Sequence, residues 1–181
     1  MNPLTARRII ELLQLEPLPG EGGYFRETFR APGHIPPEAL DPRYHAAGKP
    51  RPRCHSTQIY FLLTLQSPSL MHLVQSDEVF HHYAGDPVEQ LQITPEGSHA
   101  VLSIGPDLEQ GERPQAIVPH NVWQGCRIAP GKARAGWALL GCTVAPGFDW
   151  ADFRLGSRAE LLALCPAAAS SLTALTPEPA P

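Results

Sequence analysis

A chain of 181 residues with 43% hydrophobic content and a formal net charge of −4 has the profile of one soluble globular domain with a real core. It carries no basic run or basic helical face for nucleic acid, and its longest apolar run, residues 59–65, is too short to span a bilayer. Arg7, Arg8 and Glu11 break up any signal-peptide core, and Cys54, Cys126, Cys142 and Cys165 form no Cys-x-x-Cys pair, so the expectation is a cytoplasmic protein without a zinc knuckle or disulfide scaffold.

The first predicted element is a helix. Thr5 is its N-cap, Ile9, Ile10, Leu12 and Leu13 make one apolar stripe, and Pro17 and Pro19 end it. The segment GGYFRETFR, residues 22–30, reads as a short strand entered through a glycine pair. Residues 31–53 are rich in proline and turn formers and predict a long excursion over the surface or mouth of the domain. Short apolar runs then predict strands over 57–66, 69–74, 78–84, 88–94, 99–104, 115–118, 122–128 and 136–145. No helix lies between them to make parallel crossovers, so the chain predicts an all-β sandwich or barrel. A last helix starts at Ser157, with Glu160 completing a capping box, the Leu161, Leu162, Leu164 stripe following and Pro166 as the stop. The division expected is an N-terminal helix and linker over 1–20, one domain over 21–165 and a disordered, proline-rich tail over 166–181.

The most informative stretch is HLVQSDEVFHHYAGDP, residues 72–87. The first cupin motif has two histidines one residue apart, a glutamate after them, and a glycine after six further residues. His72, Glu78 and Gly85 occupy three of these places, whereas Val74 stands in the second histidine's place and Gln66 where an opening glycine is usual. The second cupin motif, a proline, a glycine and a histidine, matches PHNVWQG, residues 119–125. Pro119 fits, Asn121 replaces the glycine and Gln124 the histidine; asparagine tolerates a positive φ, so the turn survives. With GGYFRET before them and LLGCTVAPGFDWADF after, these segments resemble one cupin family often described as predicted sugar epimerases, over residues 15–161. The resemblance implies a cupin jelly-roll barrel (a double-stranded β-helix) with short terminal helices, paired as a homodimer, with a small polar metabolite, a sugar or a nucleotide sugar, in its lumen.

A metal cupin needs about four protein ligands, and an iron site at least two histidines and a carboxylate. Loss of two imidazoles leaves no cofactor expected with assurance, and a divalent metal only if His82 joins His72 and Glu78. Alternation along 78–84 puts Glu78, Phe80 and His82 on one face and Val79, His81 and Tyr83 on the other, and a one-residue bulge would exchange His81 for His82. The bland alternative is that these histidines are hydrogen-bonded polar groups lining a wet pocket. A metal-free alternative is an epimerase or isomerase in which His72 or His82, oriented by Glu78, is the base and Tyr83, Tyr60 or Tyr24 the acid. A third is a non-catalytic metabolite binder. Arg26 is a natural anion binder or an edge-strand ion-pair partner. Among the remaining candidates for ligand contact, Phe80, His81, Trp123 and Gln124, the parity of Trp123 and Gln124 allows only one of the two to face inward. Trp137 reads as packing, Asp149 and Asp152 as turn and capping groups, and Phe148, Trp150 and Phe153 as a seal at the barrel end.

Overall fold

The computed structural model describes residues 4–45 and 51–177. Helix α1 (Ala6–Leu13) is capped by Thr5, whose hydroxyl accepts from the Arg8 N–H, and it buries Ile9 against the outside of the sheet. The strands that follow are β1 (Glu16–Pro17), β2 (Tyr24–Arg30), β3 (His34–Ile35), β4 (Arg53–Cys54), β5 (Thr57–Thr64), β6 (Ser69–Leu73) and β7 (Asp77–Gly85). After them come β8 (Val88–Ile93), β9 (His99–Ile104), β10 (Gln115–Val118), β11 (Trp123–Ile128), β12 (Trp137–Ala145) and β13 (Arg154–Leu155). All eight strands expected over 57–145 form, with ends shifted by at most two residues.

Apart from β3 and β4, which pair with each other, the strands make two antiparallel sheets in the cupin jelly-roll arrangement. One has the order β1-β2-β5-β12-β7-β10 and the other β13-β6-β11-β8-β9. Hydrogen bonding therefore does not close one continuous ring; the two sheets face each other and enclose the lumen between them. The half of the lumen near Leu140 is filled by Phe61, Leu63, Phe80, Val88, Ile104 and Leu140. The other half is open, with a polar floor and largely apolar walls, and holds the site.

Two bulges decide which side chains enter that half. In β2, Glu27 pairs with Ile59, Phe29 with Gln58 and Arg30 with Thr57, so Thr28 is an extra residue. Strict alternation from Phe25 and Glu27 would turn Arg30 outward; the extra residue returns it to the inner face. In β7, Leu140 pairs with His82 and Leu139 with Ala84, which makes Tyr83 the extra residue.

The C-terminal part corrects one expectation. Helix α2 (Arg158–Leu164) starts as expected, with the Ser157 hydroxyl accepting from the Glu160 N–H. Beyond Pro166, however, the chain is not a loose tail. It forms helix α3 (Ala169–Leu175), whose Leu172 and Leu175 are completely buried with Met71, Leu91 and Trp123 on the outside of the second sheet. The physical reason is that this sheet presents apolar side chains on both faces, and α2 and α3 are its outer cover. Residues 178–181 of that expectation lie outside the described residues. The excursion over 31–53 is also pinned where it is described. β3 pairs with β4, and the buried Tyr44 hydroxyl bonds the Ser76 hydroxyl at 3.0 Å; residues 46–50 lie outside the described set. Among the described residues, no helix is long and apolar enough to cross a membrane.

Candidate functional site

The floor of the open half is built from four strands and one loop. His72 comes from β6, Glu78 from β7, Gln124 from β11 and Cys142 from β12, and Glu21 arrives from the loop before β2. His72 and Gln124 are cross-strand partners, which fixes their side chains next to each other on the inner face. Gln124 donates its amide N–H to Glu78 Oε2 at 2.7 Å, and its own Oε1, fully buried, has no partner. The Asn121 turn that enters β11 does have a positive φ, 60°.

Glu21 is brought inward by the glycines behind it. Gly22 and Gly23 have φ of 99° and 69°; a Cβ on Gly22 would run into the Pro68 carbonyl, and one on Gly23 into the Phe61 ring. Only glycine lets the loop press this closely on the barrel. The Glu21 carboxylate then accepts from the Ser69 hydroxyl at 2.7 Å and lies 3.8 Å from His72 Nε2.

The electrostatics of this floor follow from burial. Desolvation pushes Glu21 up to about 7, against the pull of the Ser69 hydroxyl. It also raises Glu78, with His72 opposing the shift and Glu21 adding to it as a like charge. His72 goes the other way: burial lowers it, against the attraction of Glu78. A carbonyl can only accept, so the 2.8 Å contact of His72 Nδ1 with the Leu70 carbonyl puts the proton on Nδ1. Nε2 of the neutral ring is then a free lone pair beside the carboxyls. Phe153 stacks on the ring at 5.4 Å and holds its plane.

Above the floor is a cavity of about 300 Å³. Its walls include Phe25, Ile59, Phe61, Val74, Phe148 and Trp150, and its rim carries Glu27, Arg30 and Asp149. Arg30 is already committed: it makes two bonds to Glu27, at 3.0 and 2.7 Å, and one to the Phe148 carbonyl. The mouth segment 146–153 is anchored by the buried Arg53 guanidinium, which binds Asp152 through two hydrogen bonds, at 3.0 and 2.7 Å.

The expected site residues divide sharply. His72 and Glu78 meet on the cavity, whereas Gln124, expected to contact the ligand, is completely buried behind Glu78 and does not line the cavity, because its amide is held on the Glu78 carboxyl. The others do not join them, and each departure has a local cause. His82 shares the inner face with Glu78, but it sits beyond the Phe80 and Leu140 packing and bonds the Asp86 carbonyl at 3.1 Å, so the His72–Glu78–His82 triad does not assemble. Phe80 is part of that packing and does not line the cavity. His81 and Tyr83 lie on the outer face of the sheet, where His81 takes a hydrogen bond from Gln115 and Tyr83 covers Gly141 near Tyr60. Tyr24 packs with Ile9, Leu62 and Trp137 under α1, and Arg26 bonds the Leu13 carbonyl and Gln14 side chain at the end of that helix. Trp123 faces the C-terminal helices, with Arg154 over its ring at 4.7 Å, so of the pair Trp123 and Gln124 it is the glutamine that turns inward. Glu21, Glu27 and Arg30 were not anticipated; the signal was GEGGYFRETFR itself, where a glutamate precedes a glycine pair and a strand carries charges two and five residues beyond its first inward aromatic, Phe25.

A transition metal does not fit this donor set. Val74 occupies a ligand position of the metal cupins and lines the cavity with methyl groups, and one imidazole is left. Gln124 presents its N–H to Glu78 and so occupies a carboxylate lone pair that a metal would need. Among the described residues, no group of three or more histidine, cysteine, aspartate or glutamate side chains could hold a metal ion.

Two facing antiparallel sheets with a motif histidine and glutamate meeting in the lumen define a cupin with a reduced ligand set. The chain belongs to the family described as Cupin superfamily (DUF985), whose profile matches residues 7–156. It is similar to a hypothetical protein from Leishmania major, with 32% identity, a TM-score of 0.83, and coverage of 97% of this chain and 100% of that one. It is equally similar to protein SO0799 from Shewanella oneidensis, with 32% identity, a TM-score of 0.80, and coverage of 97% and 99%. The uncharacterized protein YML079W of Saccharomyces cerevisiae is 31% identical over 134 residues, which span 73% of this chain and 66% of the yeast protein, a little under two thirds of its length.

Proposed function

We propose that this protein is a metal-independent isomerase or epimerase acting on a small sugar-like carbonyl compound. The observation that carries the reading is the neutral His72, its Nδ1–H on the Leu70 carbonyl and its Nε2 at 3.8 Å from Glu21, at the bottom of an aromatic-walled cavity. A neutral imidazole takes a proton from the carbon next to a carbonyl. A buried carboxyl whose proton is held more tightly than usual by desolvation, here Glu78 with Gln124 fixing it, donates a hydrogen bond to the carbonyl oxygen as charge develops there. Return of the proton to the neighbouring carbon, with Glu78 protonating the first oxygen and taking up the proton of the second, isomerises the substrate; return by His72 to the other face of an intermediate that has turned over in the cavity epimerises it. Phe25, Phe148 and Trp150 supply apolar faces for the carbon skeleton.

The test is deuterium wash-in from heavy water into a panel of aldoses and ketoses, followed by NMR. The expected result is exchange at the carbon next to the carbonyl with the wild-type protein and none with His72→Ala. Exchange that persists in His72→Ala, or a panel compound that binds without exchanging, would overturn the catalytic reading, the second case in favour of simple binding.

A further inference from the structure

The floor of this cavity offers a lone pair and two carboxyls. His72 has spent its N–H on Leu70, and the Gln124 amide bonds Glu78 from behind the floor. What remains is His72 Nε2 and the carboxyls of Glu21 and Glu78. Charge runs the same way. The lining carries Glu27 and Arg30 from β2, His72 from β6, Glu78 from β7, Glu21 and Asp149 from loops, with the buried thiol of Cys142 in the floor and that of Cys126 behind it. Of the described lining residues, Arg30 is the one permanent cation, and Glu27 neutralises it. Two buried carboxyls therefore face a neutral ring with no counter-charge. A phosphate or diphosphate placed here would add anions to acids. The volume, about 300 Å³, is also at the small end of the ~300–1,000 Å³ range of ligand pockets, which suits a single ring and not a nucleotide-linked one.

From this acid-lined, aromatic-walled cavity we infer that the ligand carries a protonated amine, as in a 2-amino-2-deoxy sugar, and no phosphate. The inference rests on the isomerase reading for the sugar skeleton but not for the charge. The ammonium donates its hydrogen bonds to the Glu21 carboxylate and to His72 Nε2, and the aromatic walls stabilise the cation further. A monocation lets one carboxyl ionise while the other keeps its proton, so the acid required of Glu78 survives binding. Because Glu21 holds a proton in the empty site up to about 7, binding displaces it, and affinity rises as pH goes from about 5 to 8.

The experiment is calorimetric titration of the intact chain with glucosamine, glucose, N-acetylglucosamine and glucosamine 6-phosphate, with deuterium exchange followed in parallel. The expected result is that glucosamine binds at least about tenfold more tightly than each of the other three, releases a proton near pH 6, and loses this preference in Glu21→Gln. Glu78→Gln, at a separate position, checks that the loss is specific to Glu21. Equal or tighter binding of glucose or of the phosphate, or no glucosamine binding, would overturn the inference. If glucosamine binds with that preference and never exchanges deuterium, the amine inference stands and the isomerase reading falls; if glucose exchanges and glucosamine does not bind, the reverse holds.

Discussion

Replacing Glu21 with glutamine should stabilise the protein, and only above acidic pH. The carboxyl moves from its ordinary 4.5 to about 7 because burial penalises its charge. At 1.36 kcal/mol per pH unit, ionising it in place costs roughly 3 kcal/mol. Its side chain keeps 11% of its surface on the cavity, so this is an upper value. Between pH 4.5 and 7 the folded protein holds a proton that the unfolded chain has released, so this group's contribution falls as pH rises through that window and is flat beyond it. His72 works with the opposite sign: burial lowers it, the unfolded chain binds its proton more readily, and stability rises with pH toward the ordinary histidine value of 6.5. Because the histidine is present in both proteins, the difference between them reports Glu21 together with the part of the Glu78 shift that Glu21 causes, which has the same sign. Glutamine keeps the shape and still accepts from the Ser69 hydroxyl. Urea denaturation at about pH 4.5 and about pH 8 should show near equality at the lower pH and a gain of up to about 3 kcal/mol for Glu21→Gln at the higher. The same offset at both values, or a loss at both, would refute the argument from burial.

Arg53→Met should cost about 3–5 kcal/mol in a denaturant titration, because it leaves Asp152 buried and unpaired; adding Asp152→Leu should recover much of that loss. Leu172→Ala should cost about 2–5 kcal/mol by the same assay, and a chain ending at Cys165 should melt at a lower temperature; unchanged stability in either would mean that α3 does not cover the sheet. His72→Ala should take the exchange rate below detection, a fall of at least about 10²–10⁴-fold, while Tyr83→Phe and Arg26→Ala leave it unchanged, since both side chains lie outside the lumen.

The strands were legible because each inner face alternates with an outer one, and that period survives in the sequence between turn residues. Which face a residue occupies was legible only where no extra residue intervenes. Glu78 obeys simple alternation, but the inward return of Arg30 depends on Thr28 being unpaired, and no local preference of threonine announces this. Sidedness also depends on what covers the outside. Trp123 reads as a ring for stacking a ligand until α2 and α3 supply the other half of its environment. Leu172 and Leu175, three apart, were the trace of that cover, hidden in a stretch whose alanine, serine and proline content suggested disorder. Glu21 is a surface residue by every local criterion; the contacts of Gly22 and Gly23 with Pro68 and Phe61, some 40 residues away, are what turn it inward. The floor of the site is thus half motif, through His72 and Glu78, and half long-range packing.

The state of His72 can be read directly from the ¹⁵N shifts and long-range ¹H–¹⁵N couplings of the imidazole ring in labelled protein near neutral pH. The account requires an uncharged ring protonated on Nδ1, with Nε2 unprotonated, and that pattern should persist below pH 6.5. A ring protonated on Nε2, or one fully charged at pH 7, would leave the cavity without its base.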